Sequence, residues 1–400
     1  MTDRSDNFLQ GPLAGKLFWF AMPVAFTIIC EQFVNGTDVL VLGQFVGPEA
    51  MAAVGNDMPV LTLLISLLVG LSLGANVLLA QAVGGHKDSE AERILHTAVL
   101  ASILLGLIFA VIGELTTVPL LSLLGVPPEV QEDAALYLRI FYFSLPFLSL
   151  YNFEAALYRA MGDSRTPLFA LILAAAVNAV LDFAAAVLGF DLVGVIWATV
   201  FAYLVDAATL FILLMRRKGL HLLPRKLAIA PMQMKQMIRR IGLPAGIQGM
   251  VFSISNLVVQ AAINSLGADV MAASSAAYVI EINIYAFVNS FGQAATTFVG
   301  QNFGALQLRR CFEVTKRDLY VGIGFVLSAS FATALFAHPL ISLFATDPEV
   351  IAYGVMRIYL VTGFQVFNCV IEILSGSLRG YGYSPPPALV VSVACVLSGS

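Results

Sequence analysis

Seven acidic side chains lie within long apolar stretches of this sequence: Glu31, Asp38, Glu154, Asp182, Asp206, Glu281 and Glu372. A carboxylate in the hydrocarbon of a membrane costs at least ~2.5 kcal/mol, so each of these residues is a functional candidate by default. Asn35 precedes Asp38 by three residues and Asn178 precedes Asp182 by four, so each pair shares one helix face. These spacings predict polar groups that meet inside a helical membrane protein.

The depth of these groups within their apolar segments limits the kinds of site that they can form. Asp38, Asp182 and Thr199 each lie about five to eight residues from the same side of the membrane, roughly 8–12 Å at 1.5 Å per residue. With Asn178 they supply two carboxylates, an amide oxygen and a hydroxyl, and Asn35 is a fifth candidate for the coupling site. Such hard oxygen ligands suit a metal ion such as Na⁺, whereas two neighbouring carboxyl groups can take up and release a proton. A hydrogen-bonded cluster with a structural role is the third interpretation.

Apolar runs of membrane-spanning length position these groups. Ten runs lie near 17–42, 57–83, 94–115, 134–158, 167–190, 193–215, 241–265, 271–300, 319–343 and 351–376, and an eleventh begins near 387. Hydrophobic residues make up 59% of the 400 residues and charged residues 12%, whereas a soluble domain has about 25% charged residues. The predicted fold class is therefore an all-α polytopic membrane protein.

The distribution of Lys and Arg predicts the orientation. Nearly all of them fall near 84–93, 159–166, 216–240, 309–317 and 379, and the alternate connections hold none. Because cytoplasmic loops carry the excess of basic residues, the N-terminus and the 216–240 segment are expected in the cytosol.

The chain repeats itself with an offset of 220 residues. Residues 119–123 (PLLSL) recur as 339–343 (PLISL), and 128–130 (PEV) recur as 348–350. The same offset superposes Gly47 on Gly267, Gln81 on Gln301, Arg159 on Arg379, Gly162 on Gly382 and Pro167 on Pro387. One constant offset over such a length indicates a structural repeat rather than chance similarity of apolar sequence.

The repeat predicts the domain organisation. Six spans in the first copy keep both copies in one orientation, related by a pseudo-two-fold axis along the membrane normal. We expect an N-terminal lobe at 1–215, a cytosolic linker at 216–240 and a C-terminal lobe at 241–400, in a twelve-span architecture. The second copies of spans five and six would run past residue 400, so we expect the natural protein to be longer or this sequence to be a fragment.

The remaining polar residues within spans have two candidate roles. Glu31, Asp206, Gln248, Asn256, Gln260 and Glu281 are candidates for lining a substrate cavity. Glu281, about 15 Å deep, either holds a cationic substrate or forms a structural pair. Glu154 and Glu372 each precede an arginine, Arg159 and Arg379, by five to seven residues. That spacing favours gate-like or structural ion pairs over substrate binding.

Several function classes lack their sequence signals. There is no basic run with interleaved aromatic residues for nucleic acid, and no Walker A pattern for ATP. No HExxH motif indicates an enzyme, and the four cysteines lack metal-ligand spacing. Residues 70–74 (GLSLG) match GxSxG in form, but they lie inside an apolar run, where they fit the GxxxG pattern of close helix packing. We therefore predict a protein that is not an enzyme and has no cofactor, with H⁺ or Na⁺ as a transported ion.

Several motifs resemble those of the MATE (multidrug and toxic compound extrusion) exporters, over essentially all 400 residues. They are FVNGTD at 33–38, GQFVGP at 43–48, YLRI at 137–140 and RAMGDSRTP at 159–167. Asn178 and Asp182, followed by GVIWAT at 194–199, resemble the bacterial DinF-type branch. That resemblance implies twelve spans and a coupling site at Asp38, Asn178, Asp182 and Thr199. The NorM-type branch has an acid in span seven; this sequence has none there and so departs from that pattern.

The resemblance implies a secondary antiporter. It would export amphipathic or cationic organic compounds against entry of H⁺ or Na⁺, by alternating access, from the bacterial cytoplasmic membrane and as a monomer. A flippase for lipid-linked saccharides is the alternative, but it would require a more basic cavity than the spans provide. The implied partners are a small amphipathic substrate and membrane lipid.

Overall fold

The computed structural model describes residues 6–41, 48–123, 128–385 and 389. The predicted eleventh span therefore lies outside the described residues except for Leu389. Within the described part the chain forms helices and no strand. In order they are α1 (Asp6–Leu9), α2 (Ala14–Val41), α3 (Pro48–Gly84), α4 (Asp88–Leu123), α5 (Pro128–Tyr142), α6 (Leu145–Ala160), α7 (Arg165–Leu188), α8 (Asp191–Arg216), α9 (Pro231–Lys235), α10 (Leu243–Asn264), α11 (Ala268–Gly304), α12 (Leu308–Leu335), α13 (Ala337–Ser342) and α14 (Pro348–Gly380).

The number of spans agrees with the sequence. Among the described residues nine helices are long and apolar enough to cross a membrane, and a bent pair brings the number to ten. Each of the ten predicted spans falls on one of these helices. The prediction of an all-α polytopic membrane protein is confirmed.

Two prolines, Pro146 and Pro244, explain a bend between two helices and a π-helical turn. The bent pair, α5 and α6, turns by 48° at residues 143–144. Pro146 lacks the N–H that would bond the carbonyl of Tyr142, and its ring would meet that carbonyl, so α5 ends there. The residues from Gln236 to Gly242 adopt a π-helix just before Pro244. This wider turn makes room for the proline ring at the start of α10.

The backbone reproduces the 220-residue offset. α3 and α11 are both 37 residues long, and their first and last residues are 220 apart. His86 and Leu306, one offset apart, are the two non-glycine residues with positive φ in the described part, at 53° and 59°. Gly162 and Gly382 have φ of 83° and 85°. The second half thus repeats the turns of the first, as the sequence predicts.

The chain forms two compact units. Unit one holds the residues up to Phe26, then Ala80–His86 and the residues from Val251 onward; unit two holds Thr27–Leu79 and Lys87–Met250. The opening turns of α2 thus belong with the second half of the chain, and the start of α10 with the first. The lobe boundaries at 215 and 241 stay a prediction.

Each unit has its own apolar core. Unit two is built around side chains such as Leu68, Leu121, Leu138 and Leu145, all fully buried. The core of unit one includes Leu17, Phe291 and Phe298. There the ring of Phe8 stacks on that of Phe298 with centroids 3.9 Å apart, so the N-terminal segment packs against α11.

Candidate cation-coupling site

A central site lies inside unit two and consists of Asp38 on α2, Asn178 and Asp182 on α7, and Thr199 on α8. Each of the four side chains is less than one-tenth exposed. The Thr199 hydroxyl donates a hydrogen bond to Asp38 Oδ2 at 3.1 Å. Asp182 and Asn178 lie close enough to interact directly with the Asp38 carboxyl group. The structure therefore brings together four of the five residues that the sequence assigned to coupling, and the fifth, Asn35, is exposed.

The turn between α7 and α8 brings these residues to one level. Gly189 ends α7 in the left-handed conformation, with φ of 73°, which costs glycine little. The N–H of Phe190 then donates to the carbonyl oxygen of Ala185, and α8 begins one residue later. Because the two helices are antiparallel neighbours around this short turn, Asp182 and Thr199 reach the same depth.

Three of the four carboxylate oxygens in the central site accept no hydrogen bond within the described structure. They are Asp38 Oδ1 and both oxygens of Asp182. The side-chain amide of Asn178 is likewise buried without a hydrogen-bond partner there. A buried polar group is costly unless it is paired, so this arrangement is suited to binding a proton or a small cation.

Asn35 differs from its neighbours on α2. It is one turn from Asp38, as predicted, but its side chain is exposed whereas that of Asp38 is buried. The same face of α2 is therefore exposed at Asn35 and buried within unit two at Asp38.

Three further predicted residues lie together in unit two. Asp206 is buried, and its carboxyl group is near enough to that of Glu31 for their charges to repel. The carboxyl group of Glu154 is near that of Asp206 in the same way. The predicted pair between Glu154 and Arg159 is not formed by hydrogen bonds. Arg159 Nε donates to the carbonyl of Ala155, and its guanidinium lies near Glu31.

Two ion pairs of unit one involve candidate residues, and of these the sequence predicted the one between Glu372 and Arg379. Arg357 donates two hydrogen bonds of 3.0 Å to the two carboxylate oxygens of Glu281, so Glu281 has a paired role. The guanidinium of Arg379 lies 3.8 Å from a carboxylate oxygen of Glu372.

Two other candidates for the substrate cavity, Asn256 and Gln260, are exposed on α10. The third, Gln248, is buried in unit two.

The Arg357–Glu281 pair gives a stability prediction. Replacing Arg357 with Gln should lower the free energy of unfolding by about 3–5 kcal/mol, because a buried carboxylate is left without its cation. The exposed pair of Arg139 and Glu114 is the matched control, and Arg139→Gln should cost about 0–1 kcal/mol. Thermal unfolding in detergent measures both. Equal losses in the two variants would contradict the assignment.

The structure adds two acids that the sequence analysis missed. Asp57 on α3 is fully buried, and neither of its carboxylate oxygens accepts a hydrogen bond in the described part. Asp318 on α12 has the same properties in unit one. Span nine is predicted from residue 319, one residue after Asp318, but α12 begins ten residues before Asp318, at Leu308. Helix continuity through that basic stretch is the signal that would have found it.

No cluster typical of a protein-bound transition metal occurs in the described ranges, where no group of three or more His, Cys, Asp or Glu side chains is arranged to hold one. The central site offers two carboxylates, one amide and one hydroxyl. This donor set is purely oxygen and nitrogen, which suits H⁺ or an alkali cation.

Known proteins resemble this chain over nearly its whole length. The probable multidrug resistance protein YoeA of Bacillus subtilis (strain 168) is 28% identical over 405 residues, which cover 95% of this chain and 86% of that protein. The probable multidrug resistance protein NorM of Thermotoga maritima is 26% identical over 387 residues, covering 95% and 82%. The FAD transporter of Shewanella oneidensis is 26% identical over 402 residues, covering 98% and 87%.

The comparison of structures supports the fold. A crystal structure of MATE in the bent conformation aligns with a TM-score of 0.88 at 21% identity, covering 98% of this chain and 87% of that one. At this identity the likeness concerns the fold alone. The MatE family model matches residues 23–184 and 244–399, which together are well over half of the sequence. The chain therefore belongs to the MatE family and is a transporter of the multidrug and toxic compound extrusion type.

Proposed function

We propose that this chain is a secondary antiporter that exports amphipathic or cationic organic compounds in exchange for H⁺ or Na⁺. The observation that carries the proposal is the central site, where Asp38 and Asp182 are buried side by side with three oxygens that accept no hydrogen bond in the described structure. Two carboxylates without a counter-cation repel each other in a low dielectric. A proton or a Na⁺ ion between them removes that repulsion. Ion binding therefore changes the relative stability of the arrangement in which the two carboxylates are close and the one in which they are apart.

The coupling follows from that change in relative stability. When the ion is bound, Asp38 and Asp182 can stay together inside unit two, with the hydroxyl of Thr199 holding Asp38 Oδ2. When the ion leaves, the two charges favour an arrangement in which Asp38 is apart from Asp182 or hydrated. A ligand shifts a conformational equilibrium only by its differential affinity for the two states, and these charges supply it. Alternating access is then driven by ion entry.

The names of the relatives support the substrate class. Two of those described above are probable multidrug resistance proteins, so we infer small organic compounds for this chain as well. The flippase alternative needs free cations for a pyrophosphate group. In the described spans Arg139, Arg357 and Arg379 are paired with acids, and the guanidinium of Arg159 lies near Glu31. That arrangement favours cationic over anionic cargo.

We further propose placement in the bacterial cytoplasmic membrane, with the N-terminus in the cytosol and the chain acting as a monomer. The alternation of basic loops supports the orientation. Ion entry down its gradient and export of the organic compound then both follow from this placement, because the ion arrives from outside and leaves into the cytosol.

Transport in proteoliposomes tests the proposal. We expect the purified protein to move ethidium, a fluorescent organic cation, when either a proton gradient or a Na⁺ gradient is imposed. Dissipating the proton gradient with a protonophore, with and without Na⁺, distinguishes the two ions. If neither gradient drives movement of ethidium or of a panel of other amphipathic cations, the proposed function is wrong. Movement of an anionic dinucleotide instead would reassign the cargo.

A further inference from the structure

Two helices of the central site each carry an acid two turns farther along. On α2, Glu31 precedes Asp38 by seven residues, and on α8, Asp206 follows Thr199 by seven. Seven residues complete almost two turns, so each acid lies on the same face about 10 Å away. In the predicted topology α2 and α8 run in opposite directions, and both steps therefore lead toward the cytosolic end.

These two acids lie near a third, and we call the three residues Glu31, Glu154 and Asp206 the second carboxylate cluster. Asp206 is 1% exposed and Glu154 is fully buried. Asp206 interacts with Glu31 from α2, and Glu154 interacts with Asp206 from α6. The cluster is thus built from three helices of unit two and is closed to solvent at two of its three members.

The charges of the second carboxylate cluster do not balance. Arg159 lies near Glu31, and no cation of the described residues acts on the carboxyl groups of Asp206 or Glu154. Neither oxygen of Asp206 or of Glu154 accepts a hydrogen bond in the part of the chain described. One guanidinium can balance one carboxylate, which leaves two buried carboxyl groups that must hold protons or another cation.

A tyrosine lies between the two sites. Tyr203 is four residues after Thr199 and three before Asp206, so it shares their face of α8. It lies within interaction range of Asp38, Glu31 and Asp206. A phenol both donates and accepts a hydrogen bond, so it can receive one proton while it gives up its own.

The other titratable or charged groups that face the second carboxylate cluster come from α6 and from the residue after α8. Tyr151 lies near Glu31 and Asp206, and Tyr158 lies near Glu154. Arg217 lies over the ring of Tyr158, 5.7 Å from its centroid. Tyr158 follows Glu154 and Arg217 follows Asp206 along the chain, so these two lie on the side of the cluster nearer the predicted cytosolic end.

We propose that the second carboxylate cluster is a proton-binding site, through which the coupling proton passes between Asp38 and the cytosol by way of Tyr203. This inference rests on the proposed function and selects H⁺ as the coupling ion. In the transfer, the carboxyl proton of Asp38 moves to the oxygen of Tyr203. At the same time the phenolic proton of Tyr203 moves to the ionised carboxylate of the cluster, so protons and charges balance.

The burial of the cluster decides between a proton and an organic substrate. An organic cation large enough to be exported needs a cavity with an opening, and the carboxyl groups of Glu154 and Asp206 lie within packed helices. A proton needs only a chain of hydroxyl and carboxyl groups. The second carboxylate cluster is therefore matched to the ion and not to the cargo, which changes the sequence-based assignment of Glu31 and Asp206 to a substrate cavity.

Infrared difference spectroscopy of the purified wild-type protein tests the proposal without any substrate. The carbonyl stretch of protonated carboxyl groups is recorded while the pH is raised from about 6, where exposed carboxyl groups are already ionised. We expect Asp206→Asn and Glu154→Gln each to remove part of the titrating signal, and Asp38→Asn to remove a different part. Glu114→Gln, an exposed acid that pairs with Arg139, is the matched control and should leave the signal unchanged.

The rate of proton uptake tests the role of Tyr203. After a jump in pH, reported by an indicator dye, Tyr203→Phe should slow uptake at Asp38 by about 10²-fold. The amount of protonated carboxyl at equilibrium should not change. Tyr285→Phe is the control, because this phenol lies in unit one near Glu372 and Asn289, and it should leave the rate unchanged.

Separate outcomes overturn the two proposals. If Asp206→Asn and Glu154→Gln leave the titrating signal intact, the cluster is structural and the further inference is wrong. The same holds if the variants remove only a carbonyl band whose intensity does not change with pH. If Tyr203→Phe does not slow uptake, the route is wrong. If only Asp38→Asn leaves both the signal and ion-driven transport unchanged, the assignment of the central site fails while the second carboxylate cluster stands.

Discussion

Replacement of Asp38 or of Asp182 with Asn should reduce ion-driven efflux to the level of protein-free vesicles. Asn has the shape of Asp but carries no charge and cannot exchange a proton, so the change removes ion binding while it leaves the packing nearly intact. Both side chains are buried in unit two, and an amide fits where the neutral carboxyl does. The measurement is transport of ethidium into or out of proteoliposomes under an imposed proton or Na⁺ gradient.

The neighbouring hydroxyl gives a graded version of the same prediction. Thr199→Val removes the hydrogen bond to Asp38 Oδ2, which is worth about 1.5–3 kcal/mol when the acceptor is charged. Transport should fall by roughly 10- to 100-fold at limiting ion concentration, since 1.4 kcal/mol corresponds to a factor of ten. Thr199→Ser keeps the hydroxyl and serves as the control.

Binding of the cargo separates a coupling defect from a folding defect. Asp38→Asn and Asp182→Asn should still bind ethidium, measured by fluorescence in detergent, because neither acid is assigned to the cargo. Normal ion-driven efflux by both variants would show that the coupling site lies elsewhere.

Much of the fold was accessible from the sequence, for a simple physical reason. In lipid a chain must satisfy every backbone hydrogen bond internally, so long apolar runs become helices. The basic residues of the alternate loops then predict the orientation, and the 220-residue offset predicts the pairs of helices. α3 and α11, which share this offset at both ends, are the clearest case.

The partners of individual side chains were less accessible. Sequence spacing placed Asn178 and Asp182 on one face, but proximity to Asp38 came from the resemblance and from a shared depth. Spacing alone suggested that Glu154 pairs with Arg159, because the two lie on one helix. The structure places the guanidinium of Arg159 near Glu31, on another helix, and a contact between helices leaves no local signature.

The helix ends were the other source of error. Asp318 falls between the basic segment at 309–317 and the span predicted from residue 319, directly after Lys316 and Arg317. Long basic side chains can extend to the membrane surface from within a helix, so a helix continues through such residues without a break in its backbone. Hydropathy alone therefore underestimates the length of α12 at this end.

A single methyl group at the crossing of α3 and α11 should destabilise the fold strongly. A Cβ on Gly304 would lie 2.8 Å from the Cα of Gln81 and closer still to its carbonyl oxygen. The equivalent position in the first repeat is reciprocal, because a Cβ on Gly84 would lie 2.6 Å from the Cα of Gln301. The obstacle in both cases is backbone, which cannot rotate away as a side chain does.

We expect Gly304→Ala to lower the free energy of unfolding by about 3 kcal/mol, at the upper end of the cost of overpacking a core. Gly324→Ala on α12 is the matched control, because no atom lies within 4 Å of a Cβ at that position. There alanine should be neutral or stabilise the helix by up to about 1 kcal/mol. The fraction of protein that stays monodisperse after heating in detergent, measured by size-exclusion chromatography, compares the variants.

The reciprocal geometry sharpens this test. Because Gly84 and Gly304 meet the backbone of each other's helix, Gly84→Ala should cause a loss of similar size, and the double variant should not lose twice as much. The first methyl group already forces the two helices apart, so the second finds part of the space opened. Additive losses would mean that the two glycines act at independent contacts, and a Gly304→Ala variant as stable as Gly324→Ala would mean that the helices do not cross at this point.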